Sequence, residues 1–113
     1  MKPEISFTDF EKIDLRVGTI IEVLPFEKAK NPAYKLLIDF GETIGIKKTS
    51  AQITVLYQPE EMIGKQIIAV VNFPKKQIAD FMSECLVLGV VGIDKEVTLL
   101  TTEKAVKNGL TIG

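Results

Sequence analysis

Histidine is absent from the 113 residues, and cysteine occurs once, at Cys85. A Ser-His-Asp or Cys-His relay therefore has no base to work with. A transition-metal site has no imidazole and at most one thiolate to build on. One cysteine cannot form an internal disulfide, which suits a reducing, cytoplasmic setting. Arginine is nearly missing as well, since Arg16 is the only one among the 14 basic residues. Bidentate capture of guanine or phosphate is scarce, so lysine point charges must attract any anion. Neither sign of charge dominates: 14 basic residues stand against 15 acidic ones, for a net charge of −1. Nucleic-acid binding would then need a local basic patch. Long hydrophobic runs are also missing. Nothing approaches the roughly 20 apolar residues of a membrane span, and no apolar run of signal length follows Met1-Lys2-Pro3-Glu4. Membrane insertion, a metal and a catalytic relay are not expected.

The chain has instead a single-domain length and 46% apolar residues, enough for a core without staples. Thr8-Asp9-Phe10-Glu11 matches a capping box and predicts a helical turn at about 9–13. Arg16–Leu24 alternates as a half-buried strand, with Val17, Thr19, Ile21 and Val23 on one face. Gly18 suggests a bend or bulge within it. Pro25 to Ala33 reads as a polar loop. Tyr34–Phe40 is a second strand with Leu36, Ile38 and Phe40 on one side. Ile44–Gln52 is a weaker third strand centred on Lys47 and Lys48. Tyr57 to Gly64 reads as one or two helical turns, with Pro59 at its start and Gly64 stopping it. Ile67–Val71 and Leu86–Val91 are further apolar strands, and Val97–Leu100 is a short last one. Asn108-Gly109 signals a tight turn. About five strands with one short helix between the third and fourth predict an all-β fold, a five-stranded OB barrel. The barrel core is placed at about 14–92, with small extensions at 1–13 and 93–113.

The stretch from Ile67 to Gly89 carries the functional interest. A strand runs into Asn72-Phe73-Pro74, followed by Lys75, Lys76, Ile78, Phe81 and the Ser83-Glu84 pair. Asn72 either caps the turn before Pro74 or points at a ligand. Lys75 and Lys76 form one positive face if the fold brings them beside Lys35, Lys47 and Lys48. Phe73 and Phe81 could stack on bases, dock apolar peptide side chains, or pack in the core. Ser50 and Ser83 have no activating base and are left with hydrogen bonding. Cys85 reads as a small buried hydrophobe.

Several blocks, taken in order, resemble the tRNA-binding domain family. They are Asp14-Leu15-Arg16-Val17-Gly18-Thr19-Ile20, Asn31-Pro32-Ala33-Tyr34-Lys35-Leu36, Tyr57-Gln58-Pro59-Glu60-Glu61, Ile63-Gly64-Lys65, Val71-Asn72-Phe73-Pro74 and Ser83-Glu84. The blocks Gly45 to Thr54 and Val70 to Pro74 resemble its branch of CsaA-type, export-related chaperones. The resemblance implies a non-catalytic OB-fold homodimer without cofactor. The chain ends would form its interface, which would occupy the apolar Phe7 and Phe10. It implies binding of unfolded or precursor polypeptides and of a secretion ATPase, or binding of tRNA by shape and backbone. Ser50, Asn72, Lys75, Lys76 and Ser83-Glu84 stand at family positions. Cys85 and Leu86 replace the usual glycine and methionine, and Phe73 replaces a leucine. Those changes and the low net charge favour polypeptide over tRNA. The expected surface has Phe73, Ile78 and Phe81 as apolar anchors and Lys47, Lys48, Lys75 and Lys76 as its rim.

Overall fold

A computed structural model describes all 113 residues. The elements run α1 (Phe7–Glu11), β1 (Leu15–Pro25), β2 (Tyr34–Asp39), β3 (Ile46–Ala51), α2 (Pro59–Met62), β4 (Gln66–Val70), β5 (Lys76–Ile78), β6 (Phe81–Ser83), β7 (Leu86–Val87), β8 (Gly89–Val91) and β9 (Val97–Leu99). Five strands make one antiparallel sheet in the order β3-β2-β1-β4-β7. The sheet curls until its two edges approach, and the Glu84 N–H donates to the Lys48 carbonyl at 2.8 Å. This nearly closed barrel with only short helices is the expected OB fold.

The core follows from alternation. Leu36 and Ile38 project from β2 to the interior, Phe40 follows just past its end, and all three are at most 1% exposed. Ile20, Ile67, Ala69 and Met62 meet them there. Met62 comes from the single turn of α2, which begins at Pro59 and is held by Glu61, whose carboxylate accepts from the Gln58 N–H at 2.8 Å. β1 departs from strict alternation. Its pairing with β2 shifts between Ile20 and Glu22. Ile20 is therefore buried and Ile21 is exposed, the reverse of the predicted faces. The bulge lies at Ile21 and not at Gly18. Gly18 sits in regular register opposite Ile67. A Cβ there would come within 2.6 Å of Ile38 Cγ2 and 2.8 Å of the Phe40 ring, so this glycine serves close packing.

Three other elements differ from expectation. The first helix is capped by Ser6 and not Thr8. The Asp9 N–H donates to Ser6 Oγ, and the Ser6 N–H donates to Asp9 Oδ2, both at 3.3 Å. That start leaves Phe7 and Phe10 with ring centroids 6.3 Å apart. The predicted strand Leu86–Val91 is two strands, because the chain leaves β4 after Leu88 and pairs β8 with β9. The segment Lys76 to Ser83 is a separate two-stranded hairpin, β5–β6, rather than a loop. The tight turn at Asn108-Gly109 is present, with Gly109 at φ +91°. Beyond it the chain runs along the first part of β1, where β2 does not reach. Gly109 N–H donates to Val17 O, Val17 N–H to Leu110 O, and Ile112 N–H to Leu15 O.

Candidate functional site

The barrel closes at one point and opens beside it. At the closure Thr49 is 1% exposed, and its hydroxyl donates to the Cys85 carbonyl at 2.6 Å and lies 2.8 Å from Ser83 Oγ. Past this point β3 and β7 diverge around a groove of about 520 Å³. Ser50 to Ile53 form one wall and Cys85 to Val87 the other. Phe73 and Pro74 enter from the end of β4, Ile78 from the β5–β6 hairpin, and Val97 from β9. Most of the lining is apolar, and Lys76 is its one charged residue. Such a volume and lining are typical of a pocket that holds apolar ligand groups.

The hairpin is held against the barrel by its own contacts. Phe81 packs edge-on against Phe26, with ring centroids 5.4 Å apart. Lys35 Nζ lies 4.8 Å from the Phe26 ring and 5.2 Å from the Phe81 ring, and Lys48 Nζ lies 5.4 Å from Phe81. Cation–π attraction therefore occupies both lysines in part. At the hairpin turn Lys28 Nζ donates to Asp80 Oδ2 at 2.9 Å, which lowers the Asp80 carboxyl from its ordinary range. The buried Phe26 corrects the reading of Pro25 to Ala33 as a polar loop.

Glu84 sits among the remaining lysines. The Lys48 N–H donates to Glu84 Oε1 at 3.0 Å, and Lys75 Nζ lies 3.5 Å from Oε2. The backbone bond from Lys48, then Lys75 and Lys47, hold this carboxyl below its usual range, against some desolvation. Burial pushes the Cys85 thiol up to about 11. A thiol so raised is a weak nucleophile at neutral pH.

The fold thus brings together Ser50, Phe73, Lys76, Ile78 and Ser83 around one groove. Lys35, Lys48 and Phe81 form a cation–π cluster at the base of the same hairpin, and Lys75 and Lys47 act on Glu84. Asn72 is elsewhere. Its side-chain carbonyl accepts from the Asp14 N–H at 2.9 Å, and its amide donates to the Lys12 carbonyl at 2.8 Å. It ties the segment after α1 to the end of β4. Ser83 is buried, and its hydroxyl is shared with Thr49 and Cys85. Sequence reasoning missed Ile53, Pro74, Leu86, Val87 and Val97 as lining. Nothing in a short apolar run separates a groove wall from a core position. Phe26 did carry a signal, as an aromatic inside a polar run.

A family model described as a putative tRNA-binding domain matches residues 15–111. The chain belongs to that family of OB-fold domains. It is similar to two solved chaperones of the CsaA type. That from Bacillus anthracis is 49% identical, with a TM-score of 0.94, and the match covers 98% of this chain and 100% of the other. That from Picrophilus torridus is 55% identical, with a TM-score of 0.92, and the match covers 97% and 100%. The methionine–tRNA ligase of Pelodictyon phaeoclathratiforme is 38% identical over 111 residues, which are 98% of this chain. The chain spans only 15% of that ligase's length.

Proposed function

We propose that this domain is a non-enzymatic binding protein that holds unfolded polypeptide by its apolar side chains, a chaperone function of the CsaA kind. The observation that carries this reading is the groove: a largely apolar cavity of about 520 Å³ with Lys76 at its rim. Anchors such as Phe73, 51% exposed, offer apolar surface that an extended apolar segment would cover. The same family resemblance extends the clients to precursor proteins and adds contact with a secretion ATPase in the cytoplasm. It also assigns homodimer formation to the chain ends, where Phe7 and Leu110 are exposed. No helix of the chain is long and apolar enough to cross a membrane.

A second reading, tRNA binding, is favoured by the family match over residues 15–111 and by the ligase relatives. Lys35, Lys47, Lys48, Lys75 and Lys76 would then meet phosphates, with Ser50 near the backbone. Salt separates the two. Phosphate contacts make affinity fall steeply with salt, by a log–log slope of about −0.7 per contact on a single strand. Apolar capture is expected to hold or strengthen in salting-out ions. The test is anisotropy of a labelled unfolded client and of labelled tRNA across a salt series, beside an aggregation assay with that client. Retained client affinity and slowed aggregation are expected. Failure to slow aggregation, with tight and steeply salt-dependent tRNA binding, would reject the chaperone reading in favour of the second.

A further inference from the structure

The walls of the groove are strand edges, and their main-chain groups have a direction. Lys48 uses its N–H and C=O on Glu84, on the side of β3 away from β2. In an antiparallel ladder successive residues alternate between the two sides. Ser50, two residues on, therefore also turns its N–H and C=O away from β2 and into the opening between β3 and β7. No strand pairs with it there. Its carbonyl receives only a long 3.4 Å contact from the Thr49 hydroxyl. The facing wall is arranged in the same way. Leu88 donates its N–H to Ile68 in β4, so Val87 turns its main chain away from β4. An exposed pair of unpaired strand edges is a template for another strand.

We propose that the opening beside β3 takes up its polypeptide ligand as an added β-strand, with main-chain bonds to the N–H and C=O of Ser50. This deepens the chaperone reading and rests on it. Every second side chain of the added strand would enter the groove among Phe73, Ile78, Leu86 and Val87, because strand side chains alternate. The rim defines the ligand further. Lys76 lines the groove without a carboxylate partner, and Lys47 and Lys75 share the single carboxylate of Glu84. The fitting segment is therefore extended, apolar at alternate positions and acidic at one end. Main-chain pairing tolerates many sequences, while proline within the paired segment would be rejected for want of an N–H.

The test uses a short labelled peptide of alternating valine and threonine ending in aspartate, together with copies N-methylated at one amide each. Methylation removes one donor and leaves the side chains unchanged. Affinity is expected to fall roughly tenfold at amides of one parity and to stay within about twofold at the other. The variant Ser50→Pro removes the N–H that faces the opening and spares the ladder to β2. It is expected to weaken the same peptide by a similar factor with an unchanged circular dichroism spectrum. If the variant misfolds, the methylation series decides. Equal effects at both parities would overturn strand addition and leave a side-chain pocket. No binding of any peptide, with binding of an oligonucleotide, would overturn the chaperone reading with it. A change in oligomer size for Ser50→Pro, with peptide affinity unaltered, would make the occupant a second copy and also overturn the proposal.

Discussion

Replacing Asn72 by alanine separates a tether from a ligand contact. The amide makes two bonds across the chain, to the Asp14 N–H at 2.9 Å and to the Lys12 carbonyl at 2.8 Å. A net hydrogen bond contributes about 0.5–1.5 kcal/mol. Both partners are near the surface, and water can replace the lost groups, so the lower half of that range applies. Loss of the pair should cost about 1–2 kcal/mol, which lowers a urea midpoint by about 0.5–1 M for a slope near 2 kcal/mol/M. Hydrogen exchange gives a local reading. The Asp14 amide loses its acceptor and should exchange about tenfold faster, while the Ile20 and Leu36 amides follow only the global change. Asn72→Asp keeps an acceptor for Asp14 but sets a carboxylate oxygen against the Lys12 carbonyl, so it should retain Asp14 protection better than alanine while still losing stability. Client and tRNA affinity should be unchanged, because Asn72 does not line the groove. Unaltered Asp14 protection, or a loss of affinity as large as that from Phe73→Ala, would refute the tether.

Phe73→Ala removes an exposed apolar anchor and should weaken polypeptide binding roughly tenfold with little change in thermal stability, read by anisotropy and calorimetry. Gly18→Ala drives a Cβ to 2.6 Å from Ile38 and should destabilise by about 1–3 kcal/mol in denaturant titration, since Ile38 and Phe40 are fully enclosed. Glu84 has a lowered carboxyl pKa in the folded state, so its contribution is present above the ordinary carboxylate range and is lost as pH falls through the folded value. Glu84→Gln should therefore flatten the acid limb of the stability profile. Cys85, raised to about 11, should resist a thiol reagent at neutral pH until the protein is unfolded.

The strands were legible where large apolar residues recur at every second position, as in Tyr34 to Phe40, whose inward face is the one expected. The single turn before β4 was legible from Pro59 and the two glutamates. β1 was legible as a strand and illegible in its faces. Its bulge falls at Ile21, between residues that carry no turn signal, while the visible glycine three places earlier marks only tight packing. The β5–β6 hairpin was hidden because its turn contains Ala79 at φ +53°, a conformation that favours glycine. In the site, Phe73, Lys76, Ile78 and Ser50 were legible as a group, since they flank strand ends that an OB barrel draws together. The separation of Asn72 from Phe73 was not. Adjacent residues leaving a strand point opposite ways, and the partners of Asn72 lie 58 and 60 residues away.

The last residues, stitched along β1 from Gly109 to Ile112, leave both ends of the chain at one pole of the barrel. Thr111, Ile112 and Gly113 border the same hollow as Phe7, Phe10 and Lys12. No residue of the apolar groove belongs to that hollow. A residue grafted after Gly113 would thus begin in that hollow, away from the apolar groove.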